Sequence, residues 1–210
     1  MDYHFNKELA KNYRSNSQKI RVMSENWVAH NIYCPICGNP HISNLDNNMP
    51  VADFSCTYCG EIFELKSKCG NIGNKIADGA YFTMIERITS SNNPNLFVMQ
   101  YSADLQVVNL PLVPKFLFVP SIIEKRKPLA PTAKRAGWIG CNILYSDIPK
   151  QGRITIINSQ ELSDRKTVEL LQKKHIHNNN VKAKIRQQLQ ILREKGFIEF
   201  LERGHYRKII

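Results

Sequence analysis

Two residue patterns overlap within residues 50–66, which read Pro50-Val-Ala-Asp-Phe-Ser-Cys-Thr-Tyr-Cys-Gly-Glu-Ile-Phe-Glu-Leu-Lys66. Residues 51–55 and 62–66 both have the apolar content of short β-strands. The turn between them contains a Cys-x-x-Cys motif followed by Gly60. We therefore expect the two strands to pair as a β-hairpin.

Three polar residues of this hairpin form a candidate catalytic site. Side chains alternate between the faces of a strand, so Glu64 and Lys66 point to the same face, and the hairpin can bring Asp53 beside them. Two carboxylates can bind a hard divalent cation through oxygen, and such a cation activates water and stabilises charge on a phosphate oxygen. A lysine beside the cation can orient the attacking water. A cross-strand salt bridge is the alternative, but the strand context and the preceding acid favour a magnesium nuclease site.

Four cysteines form a second candidate site around the same hairpin. Cys34 and Cys37 are separated from Cys56 and Cys59 by eighteen residues, a pattern typical of four-thiolate zinc. Each pair lies in a Cys-x-x-Cys-Gly turn. Disulfide pairing is the alternative, but it is typical of secreted proteins. Because four thiolates complete a tetrahedron, we expect a structural zinc that fixes the hairpin.

Composition and charge favour an intracellular protein with a polyanionic partner. The 210 residues carry a formal net charge of +11, which suits a nucleic acid. No apolar run approaches the ~18 residues that span a bilayer, and the N-terminus has no apolar signal-peptide region. We therefore expect a cytoplasmic protein that does not bind membranes.

The remaining patterns up to residue 158 predict a mixed α/β core. Apolar residues at helical spacing predict two helices within residues 1–30, separated at residues 15–17. Asp78 is expected to cap a helix that runs to about Thr89. The apolar runs expected to form further strands are residues 96–101, 106–113 and 153–158.

Residues 124–138 form a basic, irregular segment. They contain five Lys or Arg residues against one acid, and their prolines prevent a regular helix. Cations of such a segment can meet phosphates, and an indole can stack on or wedge between bases. The alternative is a solvated loop whose tryptophan fills the core. We favour DNA contact, with Lys134, Arg135 and Trp138 as the candidates.

Residues 159–210 predict a winged helix-turn-helix domain that follows a nuclease core over residues 1–158. Its last fifty residues contain twelve Lys or Arg residues and six acids, a net charge of +6. After a linker at residues 159–166, we expect a short helix (167–174), a turn (178–180), a longer helix (181–195) ended by Gly196, and a hairpin (197–210). Arg and Gln can bond base edges in the major groove; the alternative is a solvated helical face. The candidate DNA contacts here are Lys182, Arg186, Gln187, Gln190, Arg203 and Arg207.

Five longer segments are more specific than any of these motifs: Tyr33-Cys-Pro-Ile-Cys-Gly38, Pro50-Val-Ala-Asp-Phe54, Phe63-Glu-Leu-Lys-Ser67, Arg126-Lys-Pro-Leu-Ala-Pro-Thr-Ala-Lys-Arg-Ala-Gly-Trp-Ile-Gly-Cys-Asn142 and Lys184-Ile-Arg-Gln-Gln-Leu-Gln-Ile-Leu-Arg193. They resemble the DpnI-like methyl-directed restriction endonucleases. The resemblance implies a PD-(D/E)xK nuclease domain with a zinc-binding insertion, followed by a winged helix. It also implies that Asp53, Glu64 and Lys66 are catalytic and that the four cysteines hold zinc.

The same resemblance implies a type II restriction endonuclease that cuts both strands of GATC when its adenine is N6-methylated. Catalytic Mg²⁺, structural Zn²⁺ and double-stranded methylated DNA follow as cofactors and partner, and we expect a monomer. Trp138 is the candidate reader of the apolar methyl group. The family has a longer segment between the nuclease core and the final helices than residues 158–166 provide, so we expect a shortened C-terminal domain.

Two other functions stay open on the residues alone. One is a non-catalytic, zinc-containing DNA-binding regulator; the other is a structural or partner-binding zinc protein. The group formed by Asp53, Glu64 and Lys66 distinguishes the endonuclease from both.

Overall fold

The computed structural model describes residues 1–46, 49–166, 168, 188–202 and 205–209. Its elements form a mixed α/β fold, as the sequence predicted. Helix α1 is Asn16–Asn31 and helix α2 is Tyr81–Ile88. The strands are β1 (Ser43–Asn44), β2 (Phe54–Ser55), β3 (Ile62–Cys69), β4 (Lys75–Ala80), β5 (Asn95–Tyr101), β6 (Val107–Val113), β7 (Ile123–Lys125), β8 (Gly140–Leu144), β9 (Ile154–Asn158), β10 (Glu161–Leu162), β11 (Ile198–Glu202) and β12 (His205–Lys208).

The main sheet has the strand order β1-β2-β3-β5-β6-β9-β10. The pair β3–β5 is parallel, and the other pairs of this sheet are antiparallel. A parallel pair needs a crossover connection, which is supplied by residues 70–94 with strand β4 and helix α2. The strands expected at residues 96–101, 106–113 and 153–158 are confirmed as β5, β6 and β9.

The main sheet lies between two apolar clusters because its side chains alternate between faces. Phe97 and Met99 of β5 belong to the cluster that contains Trp27 of α1. Leu96 and Val98 of the same strand belong to the cluster that contains the buried side chains of α2. The two helices therefore cover opposite faces of the sheet.

A second sheet, of order β4-β8-β7, is joined to the first through α2. Here the structure corrects one prediction. Helix α2 begins at Tyr81 with Ala80 as its N-cap, and Asp78 lies in β4, where it pairs with Cys141 of β8. The Asp78 carboxylate does not cap the helix, because the strand turns it towards other side chains.

Two further expectations were only partly right. The first helix expected before residue 15 is a single 3-10 turn, Lys7–Ala10, and Tyr13 beyond it is exposed. The linker expected at residues 159–166 contains strand β10, which pairs with β9. Backbone hydrogen bonds to a sheet edge thus extend the core beyond residue 158.

The C-terminal region is described only in part. Residues 188–194 are helical, and Gly196, with a φ of 75°, follows the helix end as predicted. The expected hairpin is confirmed as the antiparallel pair β11–β12. The predicted helix 167–174, the turn 178–180 and the start of the longer helix lie outside the described residues, so the winged helix stays a prediction. Across the described residues, no helix is both long and apolar enough to cross a membrane.

Candidate active site and metal site

The β2–β3 hairpin forms as the sequence predicted and fixes Asp53 next to the third strand. Strand β2 pairs with β3 in the register Phe54–Phe63, and the Asp53 amide donates a hydrogen bond to the Phe63 carbonyl oxygen (2.9 Å). The Asp53 carboxylate accepts a hydrogen bond from the Leu65 amide (2.7 Å). Backbone and side chain of Asp53 are therefore both attached to the strand that carries Glu64 and Lys66.

Lys66 forms the centre of a buried ionic group. Its Nζ lies 2.5 Å from the Glu64 carboxylate and 2.7 Å from the Asp78 carboxylate. The Glu64 and Asp78 side chains are only 7% and 8% exposed. Glu64 and Lys66 do share one face of the strand, as their spacing predicted, and Asp78 reaches them from β4 of the second sheet.

The charged residues of this group shift the pKa values of their neighbours. Burial raises the pKa of Glu64 to about 7; Lys66 opposes this rise, whereas Asp53 and Asp78 add to it. Burial by itself lowers the pKa of Lys66, but the adjacent carboxylates of Glu64 and Asp78 outweigh burial and hold that pKa above its usual range. Lys66 therefore carries its positive charge throughout the physiological pH range.

Helix α1 contributes a second ion pair to the site. Arg21 Nε lies 2.5 Å from the Glu25 carboxylate, and Arg21 Nη2 lies 3.7 Å from Asp53 Oδ1. Burial raises the pKa of Glu25, and the nearby Asp53 carboxylate raises it further. Sequence reasoning missed both Glu25 and Asp78. The spacing of Arg21 and Glu25 fits an ordinary i,i+4 helix pair, so it carried no signal of a site.

The donors of this site suit a hard divalent cation. Asp53, Glu64 and Asp78 offer carboxylate oxygens, the ligand type that Mg²⁺ prefers. Asp78 Oδ2 is buried and has no hydrogen-bond partner among the described residues. A cleft of about 340 Å³ between α1 and β3, lined by Arg21, Glu25 and Lys66 among others, opens beside them.

The four cysteines meet at one point, which confirms the predicted cluster. The four Sγ atoms all lie within 4.8 Å of one another; Cys34 Sγ is 3.7 Å from Cys59 Sγ, and Cys37 Sγ is 3.6 Å from Cys56 Sγ. All four thiols are free, and both separations are much longer than the S–S bond of about 2.05 Å. They match the spacing of about 3.8 Å between sulfurs at the corners of a tetrahedron with metal–sulfur bonds of about 2.3 Å. The cluster can therefore bind a metal such as zinc.

Two equivalent turns shape the cysteine cluster. The Gly38 amide donates to the Cys34 carbonyl oxygen and the Gly60 amide to the Cys56 carbonyl oxygen, both at 2.8 Å. Both glycines have φ near 75°, a left-handed conformation that glycine adopts without steric cost. The two turns thus direct their cysteine side chains to a common centre.

The basic segment 124–138 is the end of the β7–β8 hairpin. The Arg126 amide donates to the Gly140 carbonyl oxygen (3.0 Å) and the Leu129 amide to the Trp138 carbonyl oxygen (2.9 Å), so strand-like pairing continues beyond β7. Trp138 is half-buried, and the Arg135 guanidinium lies 4.5 Å from the centre of its ring. A Cβ atom at Gly140 would lie 2.8 Å from the indole, so the absence of a side chain there makes room for Trp138. Lys134 is exposed near the end of the segment.

The structure describes only some of the C-terminal candidates for DNA contact. Gln190 is exposed and donates to the Glu194 carboxylate (3.1 Å). Arg207 is exposed and forms an ion pair with Glu199 of the neighbouring strand. Lys182, Arg186, Gln187 and Arg203 lie outside the described residues.

A protein-family model matches most of this chain. The family model described as DpnI, Dam-replacing family, matches residues 1–184. The matched range includes the β2–β3 hairpin, the cysteine cluster and the basic hairpin, and it confirms the resemblance seen in the sequence. The chain therefore belongs to the DpnI family of restriction endonucleases.

Proposed function

We infer that the protein is a magnesium-dependent type II restriction endonuclease that makes double-strand breaks in GATC sites with N6-methylated adenine. The observation that carries this proposal is the buried ion pair of Lys66 with Glu64, beside an Asp53 carboxylate that is bonded to the Leu65 amide of the same strand. Family membership supports DNA cleavage as the activity. The net charge of +11 suits a DNA partner.

Each residue of the group has a proposed role. Asp53 and Glu64 hold the catalytic Mg²⁺, with Asp78 Oδ2 as a further oxygen within the group. When bound, the cation supplies Lewis-acid stabilisation of charge on the phosphate and a more acidic water. Lys66 places its ammonium beside the scissile phosphate, where it orients the attacking water by a hydrogen bond and stabilises developing negative charge.

The remaining roles concern the structural zinc and the recognition of methylated DNA. Zinc in the cysteine cluster fixes the hairpin that carries Asp53 and Glu64. Trp138 reads the apolar methyl group by contact or stacking, and Lys134 and Arg135 beside it contact phosphates. A winged helix at the C-terminus, with Gln190 and Arg207 among its contacts, adds affinity for the site.

A plasmid digestion tests this function. The protein is incubated with adenine-methylated and unmethylated plasmid, each with Mg²⁺ or with a chelator. We expect linear fragments only from methylated plasmid with Mg²⁺. Equal survival of both plasmids contradicts methyl-directed cleavage, and methyl-dependent binding without strand breaks in any divalent metal identifies a DNA-binding regulator instead.

Asp78→Asn is expected to lower kcat by about 10- to 100-fold with little change in KM. Asparagine keeps the shape of the side chain but removes the charge that holds the Lys66 ammonium. Initial cleavage rates measured over a range of DNA concentrations give both constants, with the exposed Asp104→Asn as the matched control.

A magnesium titration separates two roles of Asp78. If Asp78 only positions Lys66, the Mg²⁺ concentration for half-maximal rate stays at the parent value. If Asp78 also binds the cation, that concentration rises. A parent-like kcat in Asp78→Asn contradicts both roles.

A further inference from the structure

A row of side chains leads from the candidate active site across the second sheet. Asp78 of β4 and Lys125 of β7 both pair with Cys141 of the central strand β8. Directly opposite residues of antiparallel strands place their side chains on the same face. Ile76 lies two residues from Asp78 on β4, and Ile143 lies two residues from Cys141 on β8. These two buried isoleucines are therefore on the same face as the row.

The row ends at an exposed aromatic side chain. The Lys125 ammonium lies 4.8 Å from the ring centre of Phe82 and 5.4 Å from that of Tyr81. Phe82 is 63% exposed although it lies in α2, whose other face packs in the core. A phenylalanine this exposed next to a lysine, at the base of the basic hairpin, forms a surface that is both apolar and positively charged.

The charge around Phe82 fits a polyanion. Lys125, Arg126 and Lys127 are consecutive and exposed. The acid that precedes them, Glu124, is engaged by Lys75 (2.6 Å) and by Asn142 (2.7 Å), so its charge is already compensated. Three successive cations are thus available to a ligand that approaches Phe82.

From these contacts we propose that Phe82 and Lys125 form a DNA-contact site beside the cleaved phosphodiester. The inference rests on the proposed nuclease function and extends it to residues outside the metal-binding group. Adjacent β-strands lie about 4.8 Å apart, so β4 with Asp78 and β7 with Lys125, on either side of β8, are separated by about 10 Å. This distance corresponds to about three nucleotides along one DNA strand. Lys125 contacts a phosphate at that distance, and the Phe82 ring packs against the adjacent sugar or base.

Equilibrium binding tests the site without relying on cleavage. The probe is a fluorescein-labelled 20-base-pair duplex with one GATC site, in an adenine-methylated and an unmethylated form. Binding is measured in buffer free of divalent metal, and the readout is fluorescence anisotropy at several salt concentrations. The proteins are the parent chain, Phe82→Ala, Phe82→Leu and Lys125→Met. Tyr58→Ala is the control. Tyr58 is also an exposed aromatic residue (80%), but it lies in the turn between β2 and β3 and not beside Phe82 or the β7–β8 hairpin.

Each variant is expected to change DNA binding in a different way. Phe82→Ala raises Kd about 10-fold, and Phe82→Leu, which keeps an apolar side chain, raises it less. Lys125→Met reduces the slope of log K against log salt by about 1, equally on methylated and unmethylated duplex. Tyr58→Ala keeps the parent Kd.

Parent-like Kd values in Phe82→Ala, together with an unchanged salt slope in Lys125→Met, overturn the proposed site. So does a change of melting temperature or of oligomeric state in Phe82→Ala without a change in Kd, because Phe82 would then be covered by protein. A parent chain that binds the duplex but never cuts it overturns the nuclease function alone, and the same Kd values still decide on this site. A parent chain that does not bind the duplex overturns both.

Discussion

Lys66→Met is expected to lower the rate of DNA cleavage by about 1,000-fold while the protein still binds its DNA. Methionine has nearly the length of lysine but no charge and no hydrogen-bond donor. The variant therefore removes the ammonium that lies between Glu64 and Asp78 and retains most of the side-chain volume. The single-turnover rate on methylated plasmid with saturating Mg²⁺ measures the effect directly.

Lys68→Met is the matched control for this variant. Lys68 lies two residues further along β3, so its side chain begins on the same face of the strand, but its Nζ donates to the Ile72 carbonyl oxygen (2.7 Å). We expect Lys68→Met to cut within a few-fold of the parent rate. If Lys66→Met also cuts at the parent rate, Lys66 is not catalytic and the assignment of the site is wrong.

The stability of Lys66→Met must be measured alongside its activity. Removal of one member of a buried ionic group leaves the other charges uncompensated, which can cost about 3–5 kcal/mol. Glu64, whose pKa already stands at about 7 in the parent, is then expected to take up a proton more readily, because Lys66 no longer favours its charged form. A melting curve by circular dichroism shows whether the variant is folded at the temperature of the cleavage assay.

Local sequence patterns predicted the parts of the site that come from one hairpin. The alternation of β3 placed Glu64 and Lys66 on one face, and the cysteine spacing predicted the cluster that the structure forms. Both inferences depend on neighbours in the chain, because strand alternation and turn geometry are local. The same holds for β5, β6 and β9, whose apolar runs are long enough to be recognised.

Residues that reach the site from other elements could not be predicted in this way. Asp78 belongs to a different sheet from Glu64, and its partner Lys66 lies twelve residues earlier in the chain. An acid before an apolar run is a common helix cap, and that local pattern led to the wrong role. Arg21, with Glu25 as its ion-pair partner, reaches Asp53 only because α1 packs on β3. Both contacts depend on how sheets and helices pack, and a single sequence does not encode that packing in any short motif.

Loss of the metal from the cysteine cluster is expected to have the largest effect on stability. Cys56→Ser should lower the melting temperature by at least about 10 °C. Metal binding by structural zinc sites contributes on the order of 10 kcal/mol or more to folding, which is comparable to the whole stability of a typical domain. Serine does not supply the thiolate that zinc needs, and the other three cysteines cannot complete the tetrahedron.

The short strands at this edge of the sheet explain why the effect should be large. Strands β1 and β2 are two residues long each, and so few ladder hydrogen bonds cannot hold the edge without the metal. Asp53 lies there between two strands: its carbonyl oxygen accepts from the Leu45 amide (2.8 Å) and its amide donates to Phe63. We therefore expect Cys56→Ser to lose cleavage activity as well, even at temperatures where the rest of the chain stays folded.

Cys69→Ser is the control, because Cys69 is exposed and lies outside the cluster. Metal analysis of the purified parent should give one zinc per chain, Cys69→Ser should keep it, and Cys56→Ser should lose it. Melting curves of all three proteins, with and without a strong chelator, then connect metal content to stability. If the parent contains no metal and Cys56→Ser melts at the parent temperature, the four thiols do not form a structural site. The position of Asp53 must then depend on the Leu45, Phe63 and Leu65 backbone bonds alone, and chelation would affect cleavage only through the catalytic Mg²⁺.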